Sequence, residues 1–149
     1  MNKEFIYNVR KGFIDKAIEQ IKSTKNINQY NELDLYPALH AAVIYNQEEV
    51  VKEILNRSEV DVNLKDYTTD TALIRVCMTG NYNIFRMLIE RDDLDLNITN
   101  KFNEHPFYHA VIRGHFDIVK DLVNDNRLNF KGTHIIQLME DSFNVLYKK

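Results

Sequence analysis

The chain has 149 residues, 44% hydrophobic and 28% charged, a balance that suits one folded domain and excludes a disordered chain. Its longest apolar runs, such as residues 41–45, fall far short of the ~20 residues that a membrane-spanning helix needs, and the first residues lack the pattern of a signal peptide. Lys and Arg total 19 against 22 Asp and Glu, a net charge of −3 with both signs interspersed, so no basic stripe is present to neutralise nucleic-acid phosphates.

Taken in chain order, residues 1–34 predict two short helices separated at Gly12, the second with an apolar face of Ile14, Ala17, Ile18 and Ile21, followed by Ile27-Asn28. Residues 35–68 repeat the arrangement. Pro37 opens a helix carrying Leu39, Ala42 and Val43, Asn46 ends it, and Val51, Ile54 and Leu55 place one apolar face on a second helix. Residues 69–102 supply Leu73, Val76 and Cys77, a stop at Gly80, then Phe85 and Leu88. Residues 103–132 supply Phe107, Ala110 and Val111 after Pro106, a stop at Gly114, then Val119 and Leu122. Residues 133–149 carry Ile135, Leu138, Met139, Phe143 and Leu146 at helical spacing and are expected to cap the stack. Cys77, the single cysteine, excludes an internal disulfide and a cysteine-based zinc site, and its slot predicts a buried, inert thiol.

Gly12, Asn46, Gly80 and Gly114 share one 34-residue phase, and glycine and asparagine are the residues that best adopt the left-handed conformation ending a helix. Asp61-Val-Asn63 returns as Asp95-Leu-Asn97 and weakens to Asn129-Phe-Lys131. Stretches 37–42, 71–76 and 105–110 (Pro-Ala-Leu-His-Ala-Ala, Thr-Ala-Leu-Ile-Arg-Val, His-Pro-Phe-Tyr-His-Ala) resemble the Thr-Pro-Leu-His-x-Ala signature of ankyrin repeats. The resemblance covers about residues 1–131. It implies an all-α ankyrin-repeat solenoid in one domain, with a degenerate first repeat, three full repeats and β-hairpin-like fingers.

Three departures stand out. One extra residue lies between each outer helix and the Asp-x-Asn stretch, where the family glycine is also missing. The finger glycine is replaced by Leu35, Thr69 and Asn103; Thr and Leu tolerate positive φ poorly, so those two fingers are expected to be less regular. Only His40 keeps the signature histidine, Ile74 and Tyr108 standing elsewhere, so the family's histidine network is expected in the first full repeat alone.

No phosphate-binding loop, nucleophile elbow or His-Glu-x-x-His motif is present, and the reading is non-catalytic, with no cofactor. The alternative is a metal-binding or catalytic use of His105, His109 and Glu104, since His105 and His109 are spaced i, i+4. The resemblance implies binding of another protein through the concave side, as an adaptor or as an inhibitor or immunity-type blocker. The positions it singles out are Leu33, Asp34, Tyr36, Ile44 and Tyr45 in the first full repeat. In the second they are Tyr67, Thr68, Asp70, Met78 and Thr79, and in the third Lys101, Phe102, Glu104, Ile112 and Arg113. Many are apolar although the fold makes no demand for it, which marks an interaction strip. Arg75, His109 and Arg113 are expected to add a cationic end to it, suiting a partner with an apolar anchor at one end and a carboxylate at the other. The remaining expectations are a monomer in the cytoplasm with no nucleic-acid or membrane partner.

Overall fold

The computed structural model describes residues 3–30 and 36–129. Within them the helices come in pairs: α1 (Lys3–Lys11) with α2 (Ile14–Ser23), α3 (Ala38–Ile44) with α4 (Glu48–Leu55), α5 (Ala72–Thr79) with α6 (Tyr82–Ile89), and α7 (Pro106–Arg113) with α8 (Phe116–Asn124). Odd-numbered helices pack in an inner row and even-numbered helices in an outer row. Each pair buries its apolar face against its neighbours, as stacked repeats must. Leu33, Asp34, Leu35 and the expected cap at 133–149 lie outside the described residues.

The 34-residue phase is visible in the backbone. Gly12, Gly80 and Gly114 have φ of +74°, +78° and +74°, and Asn46 has +60°, each ending an inner helix. The residue after the stop then reaches into the preceding repeat. Gln47 Nε2 donates to Val9 O at 3.0 Å, the Asn81 amide donates to Asn46 Oδ1, and His115 Nε2 lies 3.4 Å from Met78 O. His115 covers Gly80 so closely that a Cβ there would sit 2.2 Å from its Cε1. The core runs the length of the stack: Phe5, Leu39, Leu73 and Phe107 are buried in the inner row, and Ile54, Leu88 and Leu122 in the outer. Burial of such side chains stabilises by ~1.5–3 kcal/mol each.

In the turns after α4, α6 and α8 an arginine reaches back into the preceding repeat. Arg57 donates to Ile21 O at 2.6 Å and Thr24 O at 2.9 Å, and Arg91 to Leu55 O at 3.1 Å and Val60 O at 3.4 Å. Arg127 donates to Ile89 O and Arg91 O, both at 2.8 Å. Ile21, Leu55 and Ile89 stand in the last turns of α2, α4 and α6, where backbone carbonyls lack intrahelical partners and the helix dipole is negative. Each guanidinium is steadied by a carboxylate two residues away: Glu59, Asp93 and, in reversed order, Asp125.

A side-chain amide ladder runs beside these arginines. Asn28 donates to Glu59 O and accepts from Asp61 N, both at 2.8 Å. Asn63 does the same with Asp93 O at 2.7 Å and Asp95 N at 2.8 Å. Asn97 repeats it with Arg127 O at 2.9 Å and Asn129 N at 2.7 Å. Every rung joins one repeat to the next, which is why Asn recurs after each buried Ile27, Val62 and Leu96.

The fingers correct one expectation. Thr69 adopts φ +72° and Asn103 +61°, yet the finger at Thr69 is regular. An antiparallel bridge joins Lys65 to Thr71, Asp66 N donates to Asp70 O at 2.8 Å, and Thr69 N to Asp66 O at 2.9 Å. The next finger repeats the pattern with Asn100 N to Glu104 O at 3.2 Å and Asn103 N to Asn100 O at 3.0 Å. The cost of a left-handed threonine, ~1–2 kcal/mol, is offset because its hydroxyl accepts from Lys101 N at 2.6 Å.

Candidate functional site

The fingers and the exposed sides of the inner helices form the face to which the sequence directs attention. Its scaffold is a buried polar network. Asp66 Oδ1 accepts from Thr68 N at 2.9 Å and Asp70 N at 3.1 Å, and Asp66 Oδ2 takes the Arg75 guanidinium at 2.6 and 2.8 Å. Burial opposes the Asp66 charge, but the Thr68 and Arg75 hydrogen bonds outweigh it and hold the carboxyl below the usual carboxylate range. Asp70 Oδ1 accepts from Asn100 Nδ2 at 3.0 Å, and its Oδ2 from the Thr68 hydroxyl at 2.9 Å. Asn100 copies the finger role of Asp66 one repeat later, accepting from Phe102 N at 3.0 Å and Glu104 N at 3.1 Å.

Histidines end this network on both sides. His40 Nε2 donates to Asp70 O at 3.0 Å, while its Nδ1 is buried without a partner. Burial, only partly opposed by Asp66 and the Asp70 carbonyl, lowers its pKa to about 4, so the ring is neutral near pH 7. His109 Nε2 lies 3.3 Å from Glu104 Oε2, and burial again lowers the pKa, against the attraction of Glu104 and Asp70.

Two expected partner-binding residues are therefore interior groups: Asp70 is 4% exposed and His109 5%. Asp70 is drawn in by its bonds to Asn100, Thr68 and Arg75. His109 is buried on α7, which packs against α5, with its Nε2 turned to the Glu104 carboxylate. Arg75 is spent on Asp66 and Asp70 (3.3 Å to the latter) and sits over the Tyr36 ring, so the expected cationic end made of Arg75, His109 and Arg113 reduces to Arg113. Tyr36 and Tyr45 are half-buried against the core. The Tyr36 ring meets Tyr67 edge-on at 5.2 Å, and burial together with the hydrogen bond to Tyr67 pushes its hydroxyl up to about 12. Ile44 and Met78 are half-buried, and Glu104 is held by Asn100 at 3.0 Å.

What remains open is aromatic and apolar. Tyr67 is 54% exposed, Phe102 69% and Ile112 51%, with Arg113 exposed beside Ile112. Lys101 lies over the Phe102 ring at 5.1 Å. Tyr67 and Phe102 stand on adjacent fingers, which are fastened together by the Thr69–Lys101 and Asp70–Asn100 bonds. A rigid two-step aromatic platform results.

The metal reading finds little geometry. His105 Nδ1 is buried and unpartnered, and its pKa is lowered by burial, but among the described residues no three His, Cys, Asp or Glu side chains cluster closely enough to hold a metal ion. Cys77 is fully buried and its thiol is pushed well up by burial. No helix among the described residues is long and apolar enough to cross a membrane.

Fold and face together define a helical-repeat scaffold that offers a preformed surface. A family model described as ankyrin repeats (3 copies) matches residues 6–100 and again 39–134, and the chain belongs to the ankyrin-repeat family. Comparison with curated proteins gives no match. Ankyrin repeats are generally protein–protein interaction modules and typically non-catalytic.

Proposed function

We propose that this protein binds a specific protein partner through the finger and inner-helix face, acting stoichiometrically as an adaptor or a blocking partner. The observation that carries the reading is the outward placement of Tyr67 and Phe102 on neighbouring fingers whose backbones are locked from beneath. Aromatic anchors on a rigid support bind at low ordering cost. The binding set is Tyr36, Tyr67, Phe102, Ile112 and Arg113, with Ile44, Tyr45, Met78 and Glu104 contributing the parts of their side chains that stay exposed. Asp70, Arg75 and His109 support the set from within.

The test is co-purification from the source cell with Tyr67→Ala and Phe102→Ala combined. Both side chains are exposed, so helical circular dichroism should be unchanged while the bound protein is lost; retention of that protein would contradict the assignment of this face.

A further inference from the structure

We infer that the partner's docking segment is acidic and carries an aromatic or aliphatic anchor, an inference that rests on the binding reading above and adds the chemistry of the partner. The carboxylates that sequence alone places on the finger face are largely withdrawn from it. Asp66 and Asp70 are buried, bonded to backbone N–H groups, Thr68 and Asn100, and answered by Arg75. Glu104 keeps about a third of its side chain exposed and is held by Asn100 beside His109. The charged side chains of the second and third fingers and α7 that fall in the exposed class are cations: Lys65, Lys101 and Arg113. Lys101 sits over the exposed Phe102 ring, Lys65 stands two residues before the exposed Tyr67, and Arg113 follows the exposed Ile112. Arg10 and Lys11, also exposed, extend the same sign to the last turn of α1. Glu32 and Asp34 of the first finger lie outside the described residues, so the basic platform is that of the second and third fingers.

The turns on the outer side carry the opposite balance. In the turns that follow α4 and α6 every exposed charge is acidic: Glu59, Asp61, Glu90, Asp92, Asp93 and Asp95. A chain of net charge −3 thus holds a locally positive, aromatic face, and that segregation favours approach of an anionic segment to this side. Cations beside rings select carboxylates next to an apolar anchor, since the ring takes the anchor and the ammonium or guanidinium the acid. A nucleic acid suits the face less well, because only a few cations are present and the rest of the chain repels phosphates.

The probe is a random-peptide display selection on the full-length protein, run in parallel on the Tyr67→Ala/Phe102→Ala and Lys101→Glu/Arg113→Glu variants. Lys65 is left unchanged because its ammonium donates to Thr99 O at 2.8 Å and joins the two fingers. Thermal melts establish that each variant is folded. The expected result is enrichment of peptides with net negative charge and a Phe, Tyr or Leu, lost on the aromatic variant. A synthetic copy should bind the charge-reversed variant about tenfold more weakly, and its binding to the unaltered protein should weaken with salt. Enriched peptides that are neutral or basic, yet still depend on Tyr67 and Phe102, would overturn the acidic class and leave the binding face standing. Absence of any enrichment dependent on Tyr67 and Phe102 would overturn both. Tighter binding of a single-stranded oligonucleotide than of any selected peptide, dependent on Lys101 and Arg113, would also overturn the inference.

Discussion

Acid should destabilise this protein through His40 well before its carboxylates titrate. In the folded chain His40 Nε2 donates to Asp70 O and Nδ1 is buried without an acceptor, so a second proton would have no partner. The pKa falls from 6.5 to about 4. Because the folded value is depressed, the unfolded state binds more protons throughout this window, and stability must drop as pH falls from about 6.5 toward 4. Linkage over that interval gives a loss of about 2 kcal/mol between pH 7 and pH 5 from this group alone. His105 and His109, both lowered by burial, add to the loss with the same sign. Asp66, whose carboxyl is depressed, contributes only at still lower pH. Urea unfolding across pH 7 to 5 measures the slope, and His40→Gln, which keeps a donor toward Asp70 O but cannot titrate, should flatten it. A His40 ring titrating near 6.5 by NMR, or an unchanged slope in His40→Gln, would refute the reasoning.

Two glycines with the same backbone should respond unequally to alanine. Gly12→Ala meets only an ordinary van der Waals contact, Gln47 Nε2 at 3.8 Å, and costs the left-handed strain of ~1–2 kcal/mol. Gly80→Ala adds a collision with the His115 ring, so its loss in chemical denaturation should clearly exceed that of Gly12→Ala; equal losses would contradict the packing of His115 on the stop. Arg91→Ala removes the donors to Leu55 O and Val60 O and leaves Asp93 without its cation. It should lower stability by ~1–3 kcal/mol in urea unfolding, whereas Arg86→Ala, whose ion pairs are exposed, should cost under ~1 kcal/mol.

Local and periodic features of the fold were legible in the chain. Positive φ at a helix end selects Gly or Asn, and a packed core selects apolar residues at fixed spacing, so Gly80, Asn46 and Leu73 read correctly once the 34-residue step aligned them. The arginine caps did not. Arg57, Arg91 and Arg127 act on carbonyls more than thirty residues earlier, and an arginine in a polar turn reads as a solvated charge. The available signal was the repeated pairing of Arg57 with Glu59 and Arg91 with Asp93 at a missing glycine. Thr69 was misjudged for a related reason: its intrinsic reluctance toward positive φ is a local property, while the Lys101 N–H that rewards its hydroxyl belongs to the next repeat.

The proposed binding face was legible by position and not by exposure. Its apolar members came from positions that the family resemblance singles out, and of these Tyr67, Phe102 and Ile112 are exposed. Its charges were misassigned because a finger Asp reads as surface, whereas Asp70 is withdrawn by Thr68, Arg75 and an Asn100 one repeat away. The recurrence of Asp66 as Asn100 at the 34-residue step was the available hint, since two residues able to accept the same backbone N–H groups point to a structural task.

Site-specific photocrosslinking in the source cell tests the central claim most directly. A benzophenone amino acid replacing Phe102 or Tyr67 should yield one discrete protein adduct upon irradiation, while the same group replacing Tyr82, an exposed aromatic on the outer row, should yield none. Adducts arising from Tyr82 and absent from both finger positions would contradict the account.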